Sequence, residues 1–301
     1  MARDWESTFR SWSKPSSDTE AAKSANAESM IRDAIRESEA LKGMTIEVFA
    51  QGSYRNNTNV RLDSDVDICV RCMEVFYPDY SAVPDLTGQH LGFSDAAYTY
   101  DQFKNEVGDS LVHKFGKAGV TRGSKAFDVH ENSYRVDADV VACFEHRRYF
   151  RPSPGSLQYL SGTEFHPDNA GKIINWPHQH YENGVSKNKA TGNRFKYITR
   201  VIKRLRNEMA DNGISVAKPI ASYLIECLVW NVQNEGFERD EYVANVRSVL
   251  AHTFNKTLQD EGCSDWGEVN DLKYLFRGSQ PWTRQQAHAF LGAAWDYVGF
   301  E

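Results

Sequence analysis

The feature that most constrains this chain is Gln51-Gly52-Ser53 followed by Asp65-Val66-Asp67. Asp65-Val66-Asp67-Ile68-Cys69-Val70 is β-branched and largely apolar, a strand pattern, and side chains two apart on a strand share a face. Asp65 and Asp67 therefore point the same way. Two carboxylates that close repel, and a folded chain tolerates the repulsion best where a divalent cation neutralises it. Magnesium suits the pair, since it takes one or two carboxylates and keeps its other positions for water and phosphate oxygens. The run Thr45-Ile46-Glu47-Val48-Phe49-Ala50 is also strand-like, which puts Gly52 and Ser53 on the turn that leaves it. Glycine lets backbone amides approach a phosphate, and the serine hydroxyl adds a donor. Together these features imply metal-dependent nucleotidyl transfer, which demands a third carboxylate on a neighbouring strand.

That carboxylate is sought in Tyr134-Arg135-Val136-Asp137-Ala138-Asp139-Val140-Val141-Ala142-Cys143-Phe144, another strand pattern. Asp137 and Asp139 have the same parity, so alternation does not choose between them. Asp139 is preferred because it opens the apolar half of the run, whereas Asp137 sits nearer the exposed end. Further along, Phe195, Ile198, Ile202, Leu205 and Met209 recur at steps of three and four, one apolar stripe of a helix. Lys196, Arg200 and Lys203 line a second face, where three cations suit the β and γ phosphates of a nucleoside triphosphate; a solvated basic face is the competing reading. Asn175 and Asn183 bracket the aromatic segment Trp176 to Tyr181, and an asparagine amide can both donate to and accept from a pyrimidine edge. Tyr181 or Trp176 would stack a base or join the core. His178 and His180 lack the further ligands of a metal site.

These residues resemble a known family. Gln51-Gly52-Ser53-Tyr54-Arg55-Asn56-Asn57-Thr58-Asn59, Asp63-Ser64-Asp65-Val66-Asp67 and Ala138-Asp139-Val140-Val141 look like the core of the DNA polymerase beta-type nucleotidyltransferases. More closely they are similar to the bacterial cGAS/DncV-like nucleotidyltransferases of clade E, as are Asn175 to Gly184, Lys187-Asn188 and Ser222-Tyr223-Leu224-Ile225-Glu226-Cys227-Leu228-Val229-Trp230-Asn231. Val141-Ala142-Cys143 departs from the family, where many relatives carry a proline. The resemblance implies two magnesium or manganese ions on Asp65, Asp67 and Asp139. It also implies phosphate contacts from Gln51, Gly52, Ser53, Lys196 and Lys203, and an asparagine that favours uracil, either Asn175 or Asn183. The implied product is a cyclic dinucleotide or oligonucleotide with at least one pyrimidine, made from UTP and ATP, with CTP or GTP as further substrates. In the family such a product activates an effector protein in anti-phage (CBASS) signalling.

The implied fold is α/β (α+β): a bilobed polymerase beta-like core with a mixed sheet, a helical C-terminal lobe and a long N-terminal helix. Residues 1–160 would form the core lobe, and 161–301 the helical lobe that completes the nucleotide pocket. Ser17 or Asp18 would cap a helix from Thr19 to Leu41 lying across both lobes. A loop is expected from Phe76 to Pro84, and a helix from Tyr100 to Lys117. Strands are expected near 120–122, 125–130 and 133–144, then irregular chain from Gly155 to Asn193. Helices are expected at 193–211, 218–234, 239–258 and 282–297.

Hydrophobic content of 41% and charged content of 25% are globular values. No run approaches the roughly 18 apolar residues a membrane span needs, and no signal peptide opens the chain, so a cytoplasmic enzyme is expected. The net charge of −6 argues against a large nucleic-acid footprint. Cys69 and Cys72 form a CxxC, but three apart on a strand they face opposite sides and no second Cys or His pair completes a zinc site. Two other classes share the core: a template-independent nucleotidyltransferase acting on RNA or a small molecule, and an inactive nucleotide-binding protein. Relatives that only bind usually lose an aspartate, and here Asp65, Asp67 and Asp139 are all present.

Overall fold

The computed structural model describes residues 3–60, 65–278 and 280–301, so Asp63 and Ser64 of the motif lie outside the described residues. The chain divides into a helical unit, Met1–Ser16, Arg55–Ser64 and His178–Glu301, and a sheet unit, Ser17–Tyr54 and Asp65–Pro177. The single boundary drawn near residue 160 thus becomes several crossings. The reason begins with helix α1 (Trp5–Trp12), capped by Asp4 and not foreseen in a polar N-terminus. Trp5, Phe9 and Trp12 share one side of it and pack into the core of the helical unit, with Phe9 fully buried.

Helix α2 (Asp18–Arg36) starts on a capping box in which Ser17 and Glu20 each receive the other's backbone N–H. It ends at Arg36, short of Leu41, and its buried Ala27, Ile31, Ala34 and Ile35 join the core of the sheet unit. Strand β1 (Ile46–Gln51) leads into the four-residue helix α3 (Gly52–Arg55) and, beyond it, to β2 (Val66–Asp79). Strand β2 continues into the aromatic and proline stretch expected to be loop, taking its first four residues, Phe76 to Asp79. Its register slips between Cys72 and Phe76, and pairing then resumes to Asp79. Helix α4 (Tyr100–Phe115), with its own capping box at Thr99 and Gln102, is followed by β3 (Val120–Arg122), β4 (Phe127–Val129), β5 (Ala138–Phe150), β6 (Gln158–Phe165) and β7 (Ile173–Asn175). The strand order is β1-β2-β5-β4-β3, with β6 on β5 and β7 on β6. The β2–β5 pair is parallel and the others antiparallel, a mixed sheet.

The helical unit holds α5 (Pro177–Ala190, from His178 on), α6 (Arg194–Asp211), α7 (Ser222–Trp230), α8 (Tyr242–Lys256) and α9 (Arg284–Val298). Strands β6 and β7 and helix α5 occupy the stretch expected to be irregular. The face α5 buries is Pro177, His180 and Gly184, at helical spacing but without an aliphatic side chain among them, so hydrophobic periodicity does not reveal it. In α6 the apolar stripe of Phe195, Ile198, Ile202, Leu205 and Met209 is buried throughout. Among the described residues no helix is long and apolar enough to cross a membrane.

Candidate active site

In the sheet unit, residues in register on neighbouring strands project to one face. Gln51 on β1 lies opposite Asp67 on β2, Asp67 opposite Asp139 on β5, and Asp139 opposite Asp128 on β4. Asp65, two residues before Asp67, has the same parity. The tie that alternation left is resolved here: Asp139 faces Asp67, while the Asp137 carboxylate accepts the Glu131 N–H and closes the loop before β5. Gly52 has a φ of +63°, and a Cβ there would sit 2.9 Å from Asp67 Cγ, so only glycine admits the carboxylate this close to the turn.

Burial pushes the Asp65 carboxyl up, and repulsion from Asp137, Asp128 and Glu131 adds to it. Asp139 is pushed up in the same way, by burial first and then by Asp65, Asp128 and Asp137. Asp128 lies in the strand expected at 125–130 but was not singled out there, because only the pairing of β4 with β5 sets it opposite Asp139. It stands 3.7 Å from His130 Nε2, which also meets Thr121 Oγ1 at 2.9 Å. Among the described residues no three His, Cys, Asp or Glu side chains converge as a ready-made metal site. An ion of the magnesium type needs less, one or two carboxylates with phosphate and water completing its shell. Like charges raised by burial and by one another, with Asp67 packed against a glycine, fit that need. Cys69 Sγ meets Cys143 Sγ of the adjacent strand at 2.8 Å, so it is Cys143 and not Cys72 that neighbours it.

Asn175 ends β7, opposite Thr163 of β6. A Cβ on Gly162 would come within 2.8 Å of Asn175 O and 2.9 Å of the Trp176 ring, so that glycine seats both. Trp176 is core: it is 2% exposed, edge-on to His146 and under the Arg148 guanidinium.

In the helical unit, the basic line of α6 is not solvated. Arg200 donates to the carbonyls of Ser13 and Asn57. Lys203 Nζ donates to the Thr58 carbonyl (3.1 Å), the Thr58 hydroxyl (3.2 Å) and Glu226 Oε2 (2.9 Å), at 1% exposure. Thr58 Oγ1 donates to Glu226 Oε2 at 2.6 Å, and His180 Nε2 lies 2.9 Å from Glu226 Oε1. All three ammonium protons of Lys203 are therefore taken inside the unit, where they anchor the chain after the Gly-Ser turn. Burial works to raise the Glu226 carboxyl, yet Lys203, His180 and Thr58 outweigh it and hold the group well below the usual carboxylate range.

Lys196 differs, since no hydrogen bond or ion pair of its ammonium is seen among the described residues, and burial pushes its pKa down. Asn183 donates one of its two amide N–H groups to the Val269 carbonyl at 2.9 Å. Tyr181 is exposed, with the Arg55 guanidinium 4.9 Å and the Lys196 ammonium 5.9 Å from its ring centre. Arg55, Thr58 and Glu226 went unassigned at the sequence level although all three lie inside the motif segments; their ordinary residue types gave no signal without the contacts.

Residues 182–299 match the cGAS/DncV-like nucleotidyltransferase C-terminal helical domain. The cyclic dipyrimidine nucleotide synthase CdnE of Legionella pneumophila is 51% identical over 298 residues, 99% of each chain. Its counterpart of the same description from Cecembia lonarensis is 41% identical over the full length of both. The solved structure of the Rhodothermus marinus CdnE c-UMP-AMP synthase with Apcpp and Upnpp is similar with a TM-score of 0.84 at 30% identity, covering 98% of each chain. Likeness of this extent, on a mixed sheet that lines up its carboxylates, defines a nucleotidyltransferase. The chain belongs to the cGAS/DncV-like nucleotidyltransferases of the CdnE type, enzymes that make cyclic oligonucleotides.

Proposed function

We propose that this enzyme joins nucleoside triphosphates, UTP and ATP foremost, into a cyclic dinucleotide with at least one pyrimidine. The observation that carries the proposal is the register that sets Asp67 against Asp139 beside Gly52, in a chain 51% identical to a cyclic dipyrimidine synthase. Asp65, Asp67 and Asp139 would hold two divalent cations, magnesium or manganese. Bound there, the ions would neutralise phosphate charge and favour ionisation of the acceptor hydroxyl.

The chain's own residues supply position and charge. Gln51, Gly52 and Ser53 seat the donor phosphates at the turn, and Lys196 offers its uncommitted ammonium to the charge that develops on pyrophosphate. The acceptor hydroxyl attacks the α-phosphorus, the bond to pyrophosphate breaks, and the linear dinucleotide cyclises by a second such step. Asn175 is preferred over Asn183 for reading the pyrimidine, since one of the two Asn183 amide N–H groups is taken by the Val269 carbonyl, which fixes that side chain. The product would activate an effector protein in anti-phage defence, within the cytoplasm.

The test is mass spectrometry of products from all four NTPs with magnesium or manganese, after phosphatase treatment. A phosphatase-resistant cyclic dinucleotide containing uridine or cytidine is expected. A purine-only product would overturn the base assignment, and extended RNA without any cyclic species would overturn the acceptor.

A further inference from the structure

Three side chains of the helical unit that lie far apart in sequence meet at one aromatic ring. Arg55 ends α3, Tyr181 lies in the first turns of α5, and Lys196 lies in the first turn of α6. The Arg55 guanidinium is 4.9 Å and the Lys196 ammonium 5.9 Å from the centre of the Tyr181 ring, both within cation–π range. Arg55 Nη2 also comes within 3.5 Å of His178 Nδ1, on the same helix as Tyr181.

The cluster rests on a fixed base. Thr58, three residues after Arg55, His180, next to Tyr181, and Lys203, two turns on from Lys196, are the members of the buried network around Glu226. Each outer residue is thus placed by an inner neighbour on its own segment. The inner layer neutralises itself, Lys203 against Glu226. The outer layer brings two cations to one exposed ring, and the Lys196 ammonium forms no hydrogen bond or ion pair there among the described residues, its attraction to the already paired Glu226 being outweighed by burial.

Two cations held about a ring face, at least one outside any ion pair among the described residues, make a seat for a multivalent anion. An arginine adds what a lysine lacks, a planar fork that bonds two phosphate oxygens at once. We propose that Arg55 is a phosphate-binding residue acting together with Lys196 on the polyphosphate of a nucleoside triphosphate, and that Tyr181 is a positioning residue that holds the two cations rather than a platform for a base. The proposal rests on the nucleotidyltransferase reading above for the identity of the anion.

The probe is inorganic tripolyphosphate, titrated calorimetrically into the full chain, with steady-state kinetics in parallel. Arg55→Met is expected to weaken tripolyphosphate about tenfold and to raise KM for the NTP with a much smaller change in kcat. Arg55→Lys should recover part of the loss. Tyr181→Leu, at an exposed position, should weaken the probe about threefold, and Tyr181→Phe should restore most of it. Wild-type affinity in folded Arg55→Met overturns the arginine's role. If that variant does not fold, Arg55→Lys decides: a weakened affinity supports the fork, and an unchanged one overturns it. Unchanged affinity in Tyr181→Leu overturns the tyrosine's role. A wild type that binds tripolyphosphate through Arg55 yet yields no cyclic product would sink the proposed activity and leave this assignment standing. Cyclic product with probe binding indifferent to Arg55 would do the reverse.

Discussion

The two units treat charge in opposite ways. The sheet unit lines Asp67, Asp139 and Asp128 along one register row, with Asp65 on the same face, and burial first, then repulsion from neighbouring carboxylates, pushes Asp65 and Asp139 up. The helical unit instead buries Lys203 beside Glu226, closes the pair with Thr58 and His180, and holds Glu226 down. A paired and hydrogen-bonded buried charge specifies a conformation, and breaking it is costly. A row of like charges destabilises the fold, so its presence points to chemistry that needs it. The contrast also separates two lysines on one helix face, Lys203 bonded to Glu226 and Thr58, and Lys196 with no hydrogen bond or ion pair of its ammonium among the described residues.

The largest expected effect falls on the row. Replacing Asp65 and Asp67 together by alanine should lower cyclic product by at least about 10³-fold. The melting temperature should stay the same or rise, because repulsion has been removed; a strongly destabilised variant would break the contrast. Next comes Glu226→Gln, which leaves the Lys203 ammonium buried without its counter-ion and should cost about 3–5 kcal/mol in urea unfolding. A cost below about 1 kcal/mol would show that the pair does not hold the unit together.

The same pair sets a pH signature. Glu226 is depressed in the folded state, so the stability it contributes is fully present above the ordinary carboxylate value and is lost as pH falls through the folded one. Unfolding free energy should therefore decline into the acid range in the wild type and less steeply in Glu226→Gln. Equal slopes would remove Glu226 from the acid response. Gly52→Ala should then cost about 10²-fold in product formation, by displacing the Asp67 carboxylate and straining a positive φ, with the helical unit untouched. The smallest effect is on selectivity: Asn175→Ser should shift the ratio of UTP to ATP incorporation by about tenfold. If Asn183→Ser shifts it and Asn175→Ser does not, the assignment between the two is reversed.

Much of the sheet unit was legible in the sequence, because strand parity and turn chemistry are local. The apolar run after Asp65, the Gly-Ser turn and the helix cap at Ser17 each needed only their neighbours. The third carboxylate was legible as a choice of two, and it took the parallel β2–β5 register to set Asp139 opposite Asp67. Helix α5 was missed because its buried side carries proline, histidine and glycine, residues that periodicity does not count. Helix α1 was missed because three aromatic residues at helical spacing were lost in an otherwise polar terminus. The basic line of α6 was legible as a face from its spacing, and the partners of each cation on it were not, because Ser13, Asn57, Thr58 and Glu226 come from distant segments.

By itself the sequence determined the reaction class, since two carboxylates two residues apart on a strand, following a glycine turn, constrain one another through the covalent geometry of the chain. Only the tertiary structure decided which charges remain available. Asp137 is bound to Glu131 and Asp139 is not, Lys203 is closed by Glu226 and Lys196 is not, and Arg55 and Tyr181 share a ring contact across more than a hundred residues of chain. Those outcomes depend on contacts between segments distant in sequence, and on the desolvation and pairing they impose, which no local pattern carries.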